Sequence, residues 1–147
     1  MVQREGVFQE AFNPLAIAIS LGASFVARAF AGDTSQTKDV LKKAISHKGY
    51  SLVDILQPCV TYNKLNTNQW FKAKTYYLDT SHDPHDRIEA LRKASEVEKL
   101  PLGTFYLNPR PTFEEKLSVY RESKDPLYKR SPDLKKLSEL IYSKRGI

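Results

Sequence analysis

The sequence predicts an α/β fold in which helices flank a parallel sheet. Three neighbouring segments support this prediction: the apolar run 24–30, an amphipathic segment that ends at residues 47–49, and a second strand-like run, 52–56. A strand, a helix and a strand within about thirty residues are typical of a right-handed parallel crossover. In such sheets ligands gather beyond the carboxyl ends of the strands, so we expect a site in the residues that follow position 56.

The first helix and the first strand are predicted from residues that typically begin or end a helix and from apolar runs. Asn13 is a typical helix cap, Pro14 suits the first turn, and Gly22 suits the end of the helix. The helix is apolar all round, so we expect it to be buried. The strand 24–30 follows, with Arg28 among apolar neighbours.

The helix between the two strands has the strongest signals. Asp33 with Gln36 three residues later resembles a capping box, and His47 falls in the last turn, where it complements the helix dipole. The face expected to meet the sheet comprises Val40, Leu41, Ala44 and Ile45. Residues 52–56 then form the second strand.

The sequence of the second half of the chain predicts further short helices and strands. Thr67 caps a short helix, residues 75–78 form a strand, residues 84–97 form a helix with Asp83 as its cap, and residues 102–107 form a last strand. We therefore predict a domain over residues 1–107. A polar, helical C-terminal extension over residues 108–147 is expected to pack on this domain or on a partner.

Size and composition narrow the class of protein. The chain has 147 residues, 41% of them hydrophobic, which suits one core. No apolar stretch reaches the roughly 18 residues needed to span a bilayer, and the N-terminus lacks the features of a secretory signal. We therefore predict a cytoplasmic protein with no membrane partner.

The only cysteine lies directly after the second predicted strand. Cys59 is preceded by Gln57-Pro58 and followed by Val60-Thr61. Taken alone, a free cysteine is most often a buried structural thiol. A single thiol also cannot hold an iron-sulfur cluster by itself, since such clusters normally take four thiolates.

The segment around Cys59, together with His47-Lys48-Gly49 and the run 13–18, resembles the thiamine diphosphate-binding beta subunit of the 2-oxoacid:ferredoxin oxidoreductases. The resemblance covers that subunit's second half, and implies the second half of a thiamine diphosphate-binding fold. It implies that Cys59 is the fourth ligand of a 4Fe-4S cluster. Gln57, Pro58 and Thr61 would surround the cluster, although turn formation explains Gln57 and Thr61 equally well.

The activity implied by the resemblance is oxidative decarboxylation of a 2-oxoacid with coenzyme A, with electrons passing through the cluster to ferredoxin. Thiamine diphosphate, Mg²⁺ and the cluster would belong to the complete subunit, because the family's thiamine motif is expected upstream of Met1. The implied partners are the missing N-terminal half and an alpha or alpha-gamma subunit. We expect a C-terminal fragment or truncated product that is inactive alone, and we assign it no catalytic residue.

Two other clusters of polar residues have simpler explanations. Gly32-Asp33-Thr34 with Asn63 downstream mimics the Mg²⁺ motif of thiamine enzymes, but we interpret Gly32 as a turn residue and Asp33 as a helix cap. His82 and His85 lie among aspartates as metal ligands do, yet the same stretch suits the start of a helix.

Two alternative functions belong to other classes. The chain could be a non-catalytic α/β binding or assembly module that kept the fold without the cofactors. Its net charge of +6, from 23 Lys plus Arg against 17 Asp plus Glu, could also attract nucleic acid. The basic residues are dispersed and form no stripe with interleaved aromatic residues, so we predict no nucleic-acid partner.

Overall fold

Residues 11–145 are described by the computed structural model, and the chain falls into two units, Met1–Pro111 and Thr112–Ile147. The prediction about a secretory signal concerns residues 1–10, which lie outside the described residues. Among residues 11–145 no helix has both the length and the apolar character that crossing a bilayer requires.

The first unit contains a four-stranded sheet with flanking helices, which confirms the α/β class. Its strands are β1 (Phe25–Phe30), β2 (Ser51–Leu56), β3 (Thr75–Tyr77) and β4 (Leu100–Leu107), in the order β2-β1-β4-β3. β1 and β2 are parallel, as the crossover predicts, and so are β3 and β4. However, β4 is antiparallel to β1. The sheet is therefore mixed, because each crossover sets the direction of its own strand pair and not of the junction between pairs.

Four helices accompany the sheet: α1 (Pro14–Ser20), α2 (Thr34–Ser46), α3 (Asn68–Lys74) and α4 (Arg87–Ala94). The predicted caps of the first three are confirmed. The side chains of Asn13, Asp33 and Thr67 accept hydrogen bonds from backbone N–H groups three residues later. Gly22 follows α1 with φ of 71°, a backbone conformation that glycine adopts readily.

The fourth helix is shorter than predicted and begins later. Asp86, not Asp83, caps α4 by accepting from the N–H groups of Ile88 and Glu89. Asp83 instead accepts from the N–H of His85, two residues on, in a turn that precedes the helix. An aspartate side chain can either cap a helix or stabilise a turn, and Asp83 stabilises a turn.

The core lies on both sides of β1, whose residues are all buried. On one face Val26 packs with residues of α1, α4 and β4; on the other, Ala27 and Ala29 pack with Val40 of α2. The expectation that α1 is buried all round is wrong. Leu15 and Ile19 are buried, whereas Ile17 is exposed, because α1 packs against the sheet and α4 with one side only.

One ion pair is built into the sheet. Arg28 Nε of β1 donates to Asp54 Oδ2 of β2 over 2.8 Å, and the guanidinium carbon lies 5.7 Å from the centre of the Phe105 ring. The Arg28 side chain is only 9% exposed. The pair therefore ties together neighbouring strands close to the end where β2 leads into the Cys59 segment.

The second unit is helical, with α5 (Phe113–Lys116), α6 (Ser118–Glu122), a 3-10 turn (Leu127–Lys129) and α7 (Leu134–Arg145). Arg130 connects α6 to the loop that follows it by donating to the backbone carbonyls of Val119, Ser123 and Asp125. Exposed apolar side chains occur along α7 at Leu134, Leu137, Leu140 and Ile141.

Candidate functional site

The carboxyl ends of β1 and β2 lie side by side and open into the two loops of the candidate site. The N–H of Ala31, just after β1, donates to the carbonyl of Leu56 at the end of β2 over 2.9 Å. This bond continues the parallel pairing into the loops. The Cys59 segment therefore leaves the sheet at the end predicted from the crossover.

Cys59 itself is exposed, so the interpretation of a buried structural thiol is wrong. Its chain turns tightly, because the N–H of Asn63 donates to the Cys59 carbonyl over 3.2 Å. The turn directs backbone N–H groups at the sulfur: hydrogen bonds from Tyr62, then Asn63 and Thr61, hold the pKa of the Cys59 thiol below its ordinary value. The nearby charge of Lys64 acts in the same direction. This loop therefore stabilises a thiolate, the form that binds metal.

The neighbours singled out by sequence have different environments. Pro58 is half-buried, whereas the side chains of Gln57 and Thr61 are exposed. Thr61 acts on the sulfur through its backbone N–H. The part that these three residues play around a cluster stays a prediction.

A second feature of this end, which the sequence did not reveal, is an open cleft of about 390 Å³. Its lining includes Phe30, whose ring lies 5.6 Å from that of Phe71 on α3. The hydroxyl of Tyr77 on β3 donates to Asp33 Oδ2, and this bond raises the pKa of Tyr77. The sequence shows two adjacent tyrosines, Tyr76 and Tyr77, but nothing in it indicates that Tyr77 contacts Asp33. The cleft is lined by Phe30, Gly32, Asp33, Thr34, Lys72, Thr75, Tyr76 and Tyr77.

Asp33 and Asn63, which mimic a Mg²⁺ motif, are engaged in local structure. Asp33 Oδ1 caps α2 by accepting from the N–H of Gln36 over 3.0 Å; that bond, with the Tyr77 bond second, lowers the Asp33 pKa. The Gln36 side chain does not return the bond to Asp33. It pairs with the backbone of β1, so the capping box is only half formed. Asn63 Oδ1 accepts from the N–H groups of Leu65 and Asn66, both over 3.0 Å.

The histidines contact backbone carbonyls or aromatic rings. His82 Nε2 lies 2.9 Å from the carbonyl oxygen of Phe105, and His85 Nδ1 lies 3.1 Å from that of Leu107. His47 follows the last residue of α2, and its ring lies 5.5 Å from that of Phe25. Within residues 11–145 the structure gathers no group of three or more His, Cys, Asp or Glu side chains that could hold a metal ion.

Known proteins similar to this chain agree on one class. The family model that describes the C-terminal part of the pyruvate ferredoxin oxidoreductase beta subunit matches residues 59–122. A 2-oxoacid:ferredoxin oxidoreductase beta subunit of Sulfolobus sp is 40% identical over 123 residues, which cover 75% of this chain and 40% of that subunit. The beta subunit of 2-oxoacid:ferredoxin oxidoreductase 1 from Aeropyrum pernix is 42% identical over 123 residues, 75% of this chain and 39% of its own length.

A solved structure extends the agreement to the fold. The 2-oxoglutarate:ferredoxin oxidoreductase of Magnetococcus marinus, with 2-oxoglutarate, coenzyme A and succinyl-CoA bound, superimposes with a TM-score of 0.82 at 28% identity. The match covers 95% of this chain and 48% of that one. Fold and sequence thus agree on a similarity to oxidoreductase subunits.

More narrowly, the chain is similar to the C-terminal part of 2-oxoacid:ferredoxin oxidoreductase beta subunits. The resemblance seen in the sequence is confirmed. The chain spans less than half the length of these relatives.

Proposed function

We propose that this chain forms the C-terminal part of a beta subunit that oxidatively decarboxylates a 2-oxoacid with coenzyme A and delivers electrons to ferredoxin. The sequence similarity of this chain to 2-oxoacid:ferredoxin oxidoreductase beta subunits supports the proposal. The structural observation on which it rests is the exposed Cys59 thiol in a tight turn at the carboxyl end of a parallel strand pair. We place the complete enzyme in the cytoplasm, with an alpha or alpha-gamma subunit as partner.

In this proposal Cys59 is one of four thiolate ligands of a 4Fe-4S cluster. The chemistry of the donor fits, because the thiol is accessible and its ionised form is stabilised. N–H groups that donate to a ligand sulfur also tune the reduction potential. Since Cys59 is the only cysteine, the other three ligands come from polypeptide beyond this chain. Pro58 stiffens the approach to the sulfur, and Gln57 and Thr61 flank it.

The cofactors divide the chemistry: thiamine diphosphate with Mg²⁺ supplies decarboxylation and the cluster supplies single-electron transfer. Asp33 and Asn63 are occupied by a helix cap and a turn, so we assign the thiamine-binding residues to polypeptide that precedes this segment in the relatives. This chain contributes the thiolate, the N–H donors around it, and the sheet that positions both. By itself it is expected to be inactive.

The test is iron binding in a complex that restores the absent ligands. This chain is co-expressed without oxygen with the part of the Sulfolobus subunit that it does not match, and iron per complex, visible absorption and reduction potential are measured. Cys59→Ala should lose iron or shift the potential. Val60→Ala is the matched control, since Val60 is the exposed neighbour.

Three outcomes separate the alternatives. An iron-loaded complex that is sensitive to Cys59→Ala and insensitive to Val60→Ala supports the assignment. A complex without iron favours the non-catalytic assembly module. Iron that is unchanged by Cys59→Ala refutes the role of this thiol, and full turnover by the purified 147-residue chain refutes the division of cofactors.

A further inference from the structure

The segment between β2 and α3, residues 57–66, is held by very little packing, and we call it the Cys59 loop. Its large apolar side chains point into solvent: Val60 is 78% exposed, Tyr62 90% and Leu65 83%. None of the residues 57–66 is buried. The shape of the Cys59 loop therefore depends on hydrogen bonds rather than on a core.

The two ends of the Cys59 loop are fixed by neighbouring elements. At the first end, β2 is paired with β1 as far as Leu56. At the second end, Thr67 caps α3, and the ring of Phe71 on α3 lies 5.6 Å from that of Phe30 at the end of β1. The position of Cys59 between these anchors is set by the hydrogen bonds inside the loop.

Asn63 takes part in nearly all of those hydrogen bonds. Its backbone N–H donates to the Cys59 carbonyl over 3.2 Å. Its Oδ1 accepts from the N–H groups of Leu65 and Asn66, both over 3.0 Å, and its Nδ2 donates to Asn66 Oδ1 over 2.8 Å. The one other hydrogen bond between nitrogen and oxygen atoms of residues 57–66 is donated by Lys64 Nζ to a backbone carbonyl. Asn63 therefore links the turn that bears Cys59 to the turn that leads into α3.

The same turn sets the surroundings of the sulfur. The N–H groups that lower the pKa of the Cys59 thiol belong to Tyr62, Asn63 and Thr61, all within the turn that the bond from Asn63 to Cys59 closes. N–H groups beside a ligand sulfur favour the more negative, reduced state of a cluster and thereby raise its reduction potential. A change in the shape of this turn would therefore change the potential of a cluster held by Cys59.

We infer that Asn63 is a positioning residue for the proposed cluster: its side chain holds the Cys59 loop in the shape that aims backbone N–H groups at the sulfur. The inference rests on the proposed function, in which Cys59 is a cluster ligand. Its structural basis is an exposed loop whose hydrogen bonds converge on one side chain. It gives Asn63 a role other than the Mg²⁺ ligation that its sequence context mimics.

The first measurement is backbone amide exchange in the 147-residue chain without metal. Asn63→Ala removes the acceptor of two N–H groups, so the amides of Leu65 and Asn66 should exchange roughly fivefold faster or more. Asn63→Ser keeps a weaker acceptor and should fall between Asn63→Ala and wild type. Asn68→Ala is the matched control, since Asn68 is an exposed asparagine at the start of α3. Asn63 is itself exposed, so its variants leave the core intact.

The second measurement is the reduction potential and iron content of the complex formed with the part of the Sulfolobus subunit that this chain does not match. At a fixed solution potential, Asn63→Ala should lower the ratio of reduced to oxidised cluster roughly fivefold or more, or lose iron. Asn63→Ser should have a smaller effect, and Asn68→Ala should match wild type. A role of Asn63 in stability alone would leave the potential unchanged.

The outcomes separate this inference from the proposed function. Faster exchange together with a lower potential or lost iron upholds the inference. An iron-loaded complex whose potential is unchanged by Asn63→Ala overturns the inference and leaves the proposed function intact. Unchanged amide exchange, or equal effects of Asn63→Ala and Asn68→Ala, overturns it as well. A wild-type complex without iron refutes the proposed function and this inference with it.

Discussion

Removing the carboxylate of Asp54 should strongly destabilise the first unit. Asp54→Asn keeps the shape of the side chain but leaves the Arg28 guanidinium, 9% exposed, without its counter-charge. Breaking a fully buried pair in this way typically costs about 3–5 kcal/mol. The Asp54 side chain is 24% exposed, so water compensates part of the loss and we expect a decrease in the free energy of unfolding of about 2–4 kcal/mol.

The assay is urea unfolding followed by circular dichroism, with Asp39→Asn as the control. Asp39 is exposed on α2, so its replacement removes the same charge at the surface and should change stability by less than about 0.5 kcal/mol. The double variant Arg28→Met, Asp54→Leu should recover most of the lost stability, because it replaces the pair with apolar groups of similar volume. An Asp54→Asn chain as stable as the control would refute the reasoning.

Three further predictions concern local features. The rate of Cys59 alkylation should rise with pH, and the midpoint of this rise should lie at lower pH in the folded chain than in the urea-unfolded chain, because the folded loop lowers the thiol pKa. Equal midpoints would contradict this prediction. Gly103→Ala should destabilise by about 1 kcal/mol or more, measured by urea unfolding, because φ is 130° there; unchanged stability would exclude that conformation. Thr67→Ala should cost about 1 kcal/mol in the same assay by removing the α3 cap, whereas Thr80→Ala, at an exposed threonine, serves as the neutral control.

The features predicted well depend on residues close together in the chain. A cap such as Asn13 or Thr67 needs a side-chain oxygen and an N–H three residues later, and the crossover from β1 through α2 to β2 needs only consecutive segments. The helix α4 was predicted and is present, but its predicted cap and first residue were wrong for a related reason. Asp83 and Asp86 satisfy the same local rule, and the sequence does not show which one begins a turn and which one caps the helix.

The features that were missed depend on residues far apart. Tyr77 and Asp33 are 44 residues apart and meet because β3 and the start of α2 are brought to one end of the sheet. The exposure of Cys59 likewise depends on which surfaces cover the loop after β2, and statistics for free cysteines predicted the opposite.

The sequence by itself determined the β1-α2-β2 crossover and the position of Cys59 beyond the end of a strand, because local hydrogen bonding and side-chain periodicity encode these features. The family was indicated separately, by the resemblance of the segment around Cys59 to that of known subunits. Only the tertiary structure decided that β4 runs antiparallel beside β1 and that β2 is left at the edge. Strand neighbours are selected by packing between segments distant in the chain, which no local pattern records. The turn of N–H groups at Cys59 became visible only once those neighbours were in place.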